Sequence, residues 1–324
     1  MAVLLVTHTR DNEAVRAVTH VLEARGERVY RFDTDLFPTH LQLLLDEAAR
    51  GRLSGPEGVL ELAEISSVWY RRNATAQRLP PDMEPQLRQP SVEESRRLVY
   101  GMLAALDVFQ LDAVERVRRA GHKPLQLALA RDLGLEVPRT LMTNDPEAVR
   151  TFAASCPGGV VTKMMSSFAV HDAQGEELVV FTTPLSAEAL EELEGLELCP
   201  MTFQERLAKA LELRVTVVGD RVMAAAIDSQ ALPGAREDWR REGVALLDAW
   251  RPYTLPEPVH TRVLKLMDAL GLNYGAFDFI VTPEGRHVFL EVNPSGEFMW
   301  LTRYPGLPIA EALADVLSGQ GVRR

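Results

Sequence analysis

Glu291 and Asn293 place two polar side chains two positions apart in the largely apolar segment HVFLEVNPSGEFMW, residues 287–300. Asp278 lies in the preceding apolar segment GAFDFIV, and the residues TPEGR between the two segments have the Pro-then-Gly order of a turn. Side chains alternate between the faces of a strand, so a β-hairpin with an even-length loop puts all three on one face. Two registers stay open, with Asp278 opposite either Glu291 or Asn293, and a bulge or an odd loop would break the shared face.

Two carboxylates and one carboxamide on one face predict a site for Mg²⁺. This cation prefers oxygen ligands and completes its shell with water and substrate phosphates, so the site implies a substrate that carries phosphate. A single acidic residue on a strand is more often simply solvated, but three donors together favour the metal site. The alternating apolar residues Val288, Leu290 and Val292 are expected to face the core.

Phosphates also require positive groups, and the sequence offers four candidates. Lys123 opens a helix after Gly121, Lys163 ends the apolar GVVTK, Arg214 lies inside ELRVTVV, and Arg240 lies in EDWRRE. A cation inside an apolar strand is costly to bury unless it meets an anion, although each of the four has a solvated alternative. Neither a P-loop nor a G-x-G-x-x-G motif is present, so phosphate binding would use another design.

Length and composition restrict the class of protein. The 324 residues, 46% hydrophobic, suffice for a substantial core and two or three domains. The net charge of -11 argues against a general nucleic-acid partner. Two cysteines without a Cys/His cluster argue against disulfides and zinc. No apolar run of membrane-spanning length exists, so we expect no membrane partner and a cytoplasmic location.

The elements that position these residues follow from apolar spacing and turn residues. Near the amino end, strand-like VLLVTH, RVYRFD, GVLELA and SSVWYRR surround a helical NEAVRAVTHVLEARG, which predicts a small α/β domain. One or two helices are predicted over 91–121, after the Pro-rich surface loop LPPDMEPQLRQP. Further on, LELRVTVVGDRVMAAAIDSQ predicts a hairpin, and PVHTRVLKLMDALGL predicts a helix that ends at Gly271.

The strand SSVWYRR is a second candidate surface. Trp69 and Arg71 share one of its faces, and Tyr70 and Arg72 share the other. Aromatic and Arg side chains together could receive a peptide carboxylate. The simpler alternative, which we favour, is that Trp69 packs into the first domain.

The order of these features resembles the ATP-grasp superfamily, and more closely its microviridin- or graspetide-type maturases, which cyclise ribosomally made peptides. The resemblance covers almost the whole chain, and its most specific segments are SVWYRR, DWR and LEVNPSGEFMW. It implies an α/β (α+β) ATP-grasp fold in three parts. These are an amino-terminal pre-ATP-grasp α/β domain over 1–120, a central β-rich lid over 121–203, and a carboxyl-terminal ATP-grasp domain over 204–324.

The resemblance also implies a role for each candidate residue. ATP and Mg²⁺ would be bound by residues in four groups: Lys123 and Lys163 on the phosphates; Gln204, Glu205 and Leu207 at a hinge around adenine; Arg214 and Arg240 on the transferred phosphoryl group; and Asp278, Glu291 and Asn293 on Mg²⁺. One departure concerns the loop over the phosphates. Many superfamily members have glycines there, whereas this chain has Ser166 and Ser167.

The leading hypothesis is an ATP-dependent ligase that acts on a ribosomal precursor peptide with a leader and an acidic core. It would activate Asp or Glu side chains and join them to Thr or Ser hydroxyls or to Lys amines. The alternatives are a ligase that joins small carboxylates to amines, and a nucleotide-binding scaffold without catalysis. A homodimer is compatible with this reading, and His8, His122 and His171 are general-base candidates by residue type alone.

Overall fold

The structure is a computed structural model that describes residues 1–11, 13–165, 170–171, 177–178, 182–231 and 247–324. In chain order the strands are β1 (Ala2–Thr7), β2 (Arg28–Asp33), β3 (Gln42–Leu45), β4 (Gly51–Gly55), β5 (Gly58–Glu61), β6 (Ile65–Tyr70), β7 (Phe109–Leu111), β8 (Thr140–Thr143), β9 (Val160–Lys163), β10 (Val170–His171), β11 (Glu177–Leu178), β12 (Thr183–Pro184), β13 (Met201–Glu205), β14 (Leu211–Val218), β15 (Arg221–Ile227), β16 (Arg251–Tyr253), β17 (Tyr274–Val281) and β18 (His287–Asn293). The helices are α1 (Glu13–Ala24), α2 (Pro85–Ala105), α3 (Val114–Ala120), α4 (Lys123–Asp132), α5 (Pro146–Ala154), α6 (Ala187–Glu191), α7 (Glu257–Leu270), α8 (Met299–Arg303) and α9 (Ile309–Leu317). In these described ranges, no helix has both the length and the apolar character needed to cross a bilayer.

The amino-terminal part contains a four-stranded parallel sheet in the order β2–β1–β6–β7. All six residues of β1 are buried, as expected for a parallel strand that is covered on both faces. Val3 and Leu5 pack in one apolar cluster with α1 and α9, whereas Leu4 and Val6 pack in another with α2. Strands β3, β4 and β5 form a separate antiparallel sheet. The predicted α/β fold class is confirmed.

Helix α2 differs from its prediction at its start. The helix begins at Pro85 rather than Ser91, so half of the Pro-rich segment is helical and not a loop. Pro85 occupies the start of the helix, where its missing N–H has no intrahelical acceptor and its fixed φ suits the helix. Strand β7 then separates α2 from α3, so the predicted stretch 91–121 holds two helices with a strand between them.

The carboxyl-terminal part is built on a five-stranded antiparallel sheet, ordered β16–β15–β14–β17–β18. The predicted β14–β15 hairpin forms with Val218 opposite Arg221, and the two-residue loop between them starts at Gly219, whose φ is +57°. One face of the sheet packs on α4 and α7 and buries the rings of Phe277, Phe279 and Phe289. Part of the other face packs on α9, and the rest carries the candidate site.

The β17–β18 hairpin does not have the even loop that the sequence suggested. Val281 pairs with His287, and the Thr282 N–H donates to the Arg286 carbonyl at 3.0 Å. The loop is therefore odd, and Gly285 provides the positive φ of +82° that this kind of turn requires. An odd loop alone would separate the three polar side chains.

A β-bulge next to the acidic residues compensates for the odd loop. Phe279 pairs with Phe289, but Asp278 pairs with Glu291, which leaves Leu290 as the extra residue. The extra residue returns Asp278 and Glu291 to one face, and of the two predicted registers this is the one that forms. Leu290 was expected in the core, but the bulge turns it towards the cavity instead.

The middle sheet is antiparallel and has the order β12–β9–β13–β8. Lys163 ends β9 directly opposite Thr202 of β13. The predicted boundary at residue 203 falls inside β13, so this strand is shared by two of the predicted segments. The division into three domains stays a prediction.

A buried carboxylate joins the first part of the chain to the carboxyl-terminal sheet. Asp112, 2% exposed, accepts hydrogen bonds from the Asn273 N–H at 2.9 Å, the Asn273 Nδ2 at 2.8 Å and the Tyr274 N–H at 3.0 Å. Burial raises the pKa of Asp112 from 3.8 to about 6, against the opposing effect of these hydrogen bonds. We therefore expect the stability of the junction between the two sheets to depend on pH.

We expect Asp112→Asn to remove a pH-dependent component of stability. The folded wild-type protein holds the proton more tightly than the unfolded chain, so this group lowers the free energy of unfolding as pH rises from about 4 to about 6. The variant lacks this component, and a carboxamide turned towards N–H donors should cost about 1–3 kcal/mol at neutral pH. Urea unfolding across this pH range measures both effects. A constant difference between the two proteins would contradict the prediction.

Candidate active site

A cavity of about 870 Å³ lies between the middle sheet and the carboxyl-terminal sheet. Its volume is in the range of sites that enclose a small molecule of cofactor size. Its wall contains nine of the candidate residues: Lys123, Lys163, Gln204, Glu205, Leu207, Arg214, Asp278, Glu291 and Asn293. Residues that the sequence places more than 80 positions apart thus meet in one cavity.

The acidic face of the β17–β18 hairpin forms one end of this cavity. Asp278 and Glu291 lie opposite each other, and the Asn293 amide joins them. Asn293 Nδ2 donates to Asp278 Oδ2 at 3.2 Å and to Glu291 Oε1 at 3.0 Å. The side chains of the three predicted metal ligands therefore converge.

Two cations meet these carboxylates directly. Lys123 Nζ lies 2.9 Å from Glu291 Oε2 and donates to Asn293 Oδ1 at 3.4 Å. Arg214 Nη1 lies 2.8 and 2.9 Å from the two Asp278 carboxylate oxygens, and the Arg214 side chain is almost fully buried. The buried charges are paired, as burial requires.

Helix α4, which begins at Lys123, is held in place by Gln126, a residue that the sequence reasoning missed. Gln126, fully buried one turn after Lys123, donates from Nε2 to the Val292 carbonyl at 2.8 Å. The Val292 N–H donates back to Gln126 Oε1 at 3.0 Å, so α4 is fixed to β18 beside the acidic face. A polar residue at i+3 from Lys123 was the available signal, because such residues share a helix face.

The electrostatics of the cavity keep Glu291 ionised. Burial raises its pKa, but Lys123, Lys163 and the hydrogen bonds from Lys123 and Asn293 outweigh this effect and bring the pKa of Glu291 from 4.5 to about 2. Burial likewise lowers the pKa of Arg214, and the Asp278 carboxylate raises it above its ordinary value. Both groups are charged at neutral pH.

The donor set fits Mg²⁺. Two carboxylates and a carboxamide supply only part of an octahedral shell, which suits a cation that takes its other ligands from water and phosphate. Within the described residues, no group of three or more His, Cys, Asp or Glu side chains forms a cage that would hold a metal by protein ligands alone. A bound cation here would share Glu291 with Lys123.

Another part of the cavity wall is formed by residues 204–207. Gln204 is buried and its Nε2 donates to Thr140 Oγ1 at 3.0 Å. Glu205 Oε1 accepts the Arg139 N–H at 2.8 Å, and the Glu205 N–H donates to the Arg139 carbonyl at 3.0 Å. These contacts anchor the segment that the resemblance assigns to adenine.

Several candidates lie elsewhere. Arg240, Ser166 and Ser167 fall outside the described residues, as does the side chain of His171. The described residues that line the cavity include neither His8 nor His122. No general base is therefore assigned.

In the strand SSVWYRR, Trp69 packs into the core, as the simpler of the two alternatives predicts. This ring is 3% exposed and packs in the apolar core shared by α1 and α9. Arg71 is also buried, whereas Arg72 is half-buried and lines the cavity. The sequence reasoning missed Trp300, whose ring lies 5.3 Å from the Arg214 guanidinium carbon. Its position inside NPSGEFMW was the only signal.

Comparison with known proteins gives the following similarities. A family model for the MvdD pre-ATP grasp domain matches residues 2–118. The macrocyclase MdnC of Microcystis aeruginosa, solved bound with precursor peptide MdnA, is 46% identical over 98% of this chain and 100% of that chain, with a TM-score of 0.90. A RiPP-associated ATP-grasp ligase of Chryseobacterium gregarium, in complex with ADP and a leader and core peptide, is 36% identical over 100% and 98% of the two chains, with a TM-score of 0.94.

Two proteins of lower identity are also similar to this chain: one was solved with Mg and ADP, and the other is named as a ligase. The ATP-grasp ligase PsnB, solved with a phosphomimetic variant of a minimal precursor, Mg and ADP, is 28% identical over 99% of this chain and 98% of that chain, with a TM-score of 0.78. A probable alpha-L-glutamate ligase of Shewanella loihica is 27% identical over 206 residues, which is 62% of this chain. The chain spans 64% of the length of this curated relative.

Proposed function

The chain belongs to the RiPP-associated ATP-grasp ligases, which act in the maturation of ribosomally made peptides, and from this premise we propose that it cyclises a precursor peptide with ATP. The peptide would have a leader and a core that contains Asp or Glu together with Thr, Ser or Lys. Joining the acidic side chain to a hydroxyl gives a macrolactone, and joining it to a Lys amine gives a macrolactam.

The proposed reaction has two steps. A carboxylate does not condense with an alcohol or amine in water, because its oxygen is a poor leaving group. First, a carboxylate oxygen of the peptide bonds to the γ-phosphorus of ATP, the bond to the β–γ bridging oxygen breaks, and ADP leaves. Second, the hydroxyl or amine attacks the acyl carbon and loses its proton, and inorganic phosphate leaves with the electron pair.

The residues of the cavity have complementary roles in this proposal. Phosphoryl transfer depends mainly on positioning and charge neutralisation, which Lys123, Lys163 and Arg214 supply. Mg²⁺, when bound, would neutralise charge on the phosphates. Gln204, Glu205 and Leu207 would contact adenine, and Arg240 would join Arg214 on the acyl phosphate.

One observation carries the proposal: the acidic face and the cations occupy the same cavity. Asp278, Glu291 and Asn293 converge on one side, and Lys123 and Arg214 lie within 3 Å of the two carboxylates. A solvated acidic strand would need no such partners. A site for a metal bound to polyphosphate needs both signs of charge within a few ångströms.

A second candidate function is ligation of free glutamate or another amino acid to a carboxylate. The similarity to a probable alpha-L-glutamate ligase favours it, and the same cavity would serve. The similarity to MdnC is higher and extends over the whole of that chain, which favours the peptide cyclase.

Mass spectrometry of the precursor tests the proposal. The substrate is the product of a short neighbouring reading frame with an acidic, Thr- or Lys-rich end, incubated with enzyme, ATP and Mg²⁺. We expect the peptide to lose one water per bond formed, only when ATP is present. An unchanged peptide mass, together with ATP-dependent addition of free glutamate, would instead establish the second candidate.

A further inference from the structure

Arg71 is a buried guanidinium that the proposed reaction does not yet use. It follows β6 in the first part of the chain and is only 2% exposed. Its guanidinium lies 5.9 Å from the Trp69 ring centroid and 5.7 Å from that of Phe298. Burying an arginine this completely requires acceptors for its donors.

The acceptors for its two Nη atoms are on the loop that follows β18, whereas its Nε lies 3.4 Å from the carboxylate of the buried Asp11. Arg71 Nη1 donates to the Ser295 carbonyl at 2.8 Å and to the Gly296 carbonyl at 3.2 Å. Its Nη2 donates to Glu297 Oε2 at 2.7 Å. These contacts join residues more than 220 positions apart, so the loop is held from the amino-terminal part of the chain.

Arg214 also contacts this loop. Its Nη2 donates to the Glu297 carbonyl at 3.1 Å, while its Nη1 holds Asp278. At Gly296 an added Cβ would lie 2.9 Å from Arg214 Nη2 and 2.6 Å from Ala276 Cβ, so the loop passes too close for any other residue. The loop is thus held by the guanidinium groups of Arg71 and Arg214, and Arg72 also pairs with the Glu297 carboxylate.

We infer that Arg71 is a positioning residue for the Arg214 guanidinium: it holds residues 295–297 so that the Glu297 carbonyl fixes Arg214 against Asp278. This inference rests on the proposed function, because Arg214 is there assigned to the transferred phosphoryl group. The hydrogen bonds of Arg71 go to residues 295–297 and not to Asp278, Glu291 or Asn293. A small displacement of Arg214 is expected to slow the reaction, since charge stabilisation in a transition state depends on position.

A double-mutant cycle between Arg71→Lys and Arg214→Lys tests the inference. Lysine keeps the charge but cannot hold several acceptors in a fixed plane. We expect Arg71→Lys to lower kcat about 10-fold and Arg214→Lys about 100-fold, because removal of a preorganised donor has an effect of this size. If Arg71 acts through Arg214, the double variant is no slower than Arg214→Lys alone.

The Kd for ADP distinguishes a loss of positioning in Arg71→Lys from a general loss of structure in the cavity. The Kd for ADP should stay within about 3-fold of wild type in Arg71→Lys, because the nucleotide side of the cavity is formed by other residues. Arg28→Lys is the matched control: Arg28 is an exposed arginine of the same parallel sheet, paired with Glu64 at 2.9 Å. We expect it to have wild-type kcat.

Additive losses in the double variant, or a wild-type kcat in Arg71→Lys, would overturn the inference. If Arg71→Lys does not fold, Glu297→Gln replaces it in the cycle, since Glu297 accepts from Arg71 Nη2 with its side chain and from Arg214 only with its carbonyl. Urea unfolding of the same four proteins measures the coupling without any substrate, as a non-additive shift of the midpoint. A wild-type protein that makes no product would therefore refute the proposed function, while the unfolding cycle would still decide the role of Arg71.

Discussion

Glu291→Gln is expected to lower ATP-dependent product formation at least ~10²-fold, because a neutral carboxamide replaces a charged ligand beside the phosphates. The wild-type carboxylate has a pKa of about 2 and is ionised at neutral pH, so the substitution removes a full negative charge at nearly constant shape. Product is measured as ADP release and as loss of water from the peptide. The dependence of the rate on Mg²⁺ concentration gives the second readout, and half-saturation should shift to higher Mg²⁺.

Glu136→Gln is the matched control for this variant. Glu136 is an exposed residue paired with Arg286 on the turn of the same hairpin, away from the cavity. We expect it to keep wild-type activity. Full activity of Glu291→Gln, with an unchanged Mg²⁺ requirement, would exclude Glu291 as a metal ligand and would remove the observation on which the proposed function rests.

Arg214→Lys is expected to lower kcat about 10²-fold with little change in the Kd for ADP, because the loss falls on the transition state. Arginine holds the Asp278 carboxylate with Nη1 and the Glu297 carbonyl with Nη2, and a single ammonium cannot reproduce this planar arrangement. The rate of acyl-phosphate formation, followed as ADP release in a single turnover, measures this loss.

The control for Arg214→Lys is Arg221→Lys on the neighbouring strand β15. Arg221 is half exposed and pairs with Asp315 at 2.6 Å, far from the cavity wall. We expect its kcat to equal that of wild type. If Arg214→Lys raised the Kd for ADP and left kcat unchanged, Arg214 would be a ground-state ligand of the nucleotide rather than a group that acts on the transferred phosphoryl.

The cavity differs in charge from the chain as a whole. The net charge is -11, which would repel ATP and an acidic peptide at long range. Among the described residues, the cavity wall carries six cationic side chains against five acidic ones: Arg72, Lys123, Lys163, Arg206, Lys209 and Arg214, against Glu205, Glu212, Asp278, Glu291 and Glu297. Local cations at short range therefore decide whether an anionic substrate binds, because screening weakens the distant charges.

The polar face of the β17–β18 hairpin was predicted correctly from the sequence, although the predicted even loop was wrong. Strand alternation correctly brought Asp278 and Glu291 together, and the sequence left their register open. The structure reaches the same pairing through an odd loop and a bulge at Leu290, which cancel. Local pattern does not specify a bulge, because its position depends on how the two strands pack on the helices beneath them.

The amino-acid sequence by itself determined the elements whose signals are local. Gly219 and Gly271 ended a strand and a helix at the predicted positions, and alternating strands and a helix near the amino end indicated the α/β domain. The resemblance added the family and a proposed role for each candidate residue. These features depend on residues within a few positions of each other, so periodicity and turn chemistry suffice.

Only the tertiary structure decided which side chains support the site. Gln126 fixes α4 to β18, and Arg71 reaches the loop after Asn293, although no local pattern indicates either partner. Their partners lie 166 and more than 220 positions away along the chain. Burial makes each contact obligatory, because an unpaired amide or guanidinium in the core is costly, and burial is a property of the folded chain alone.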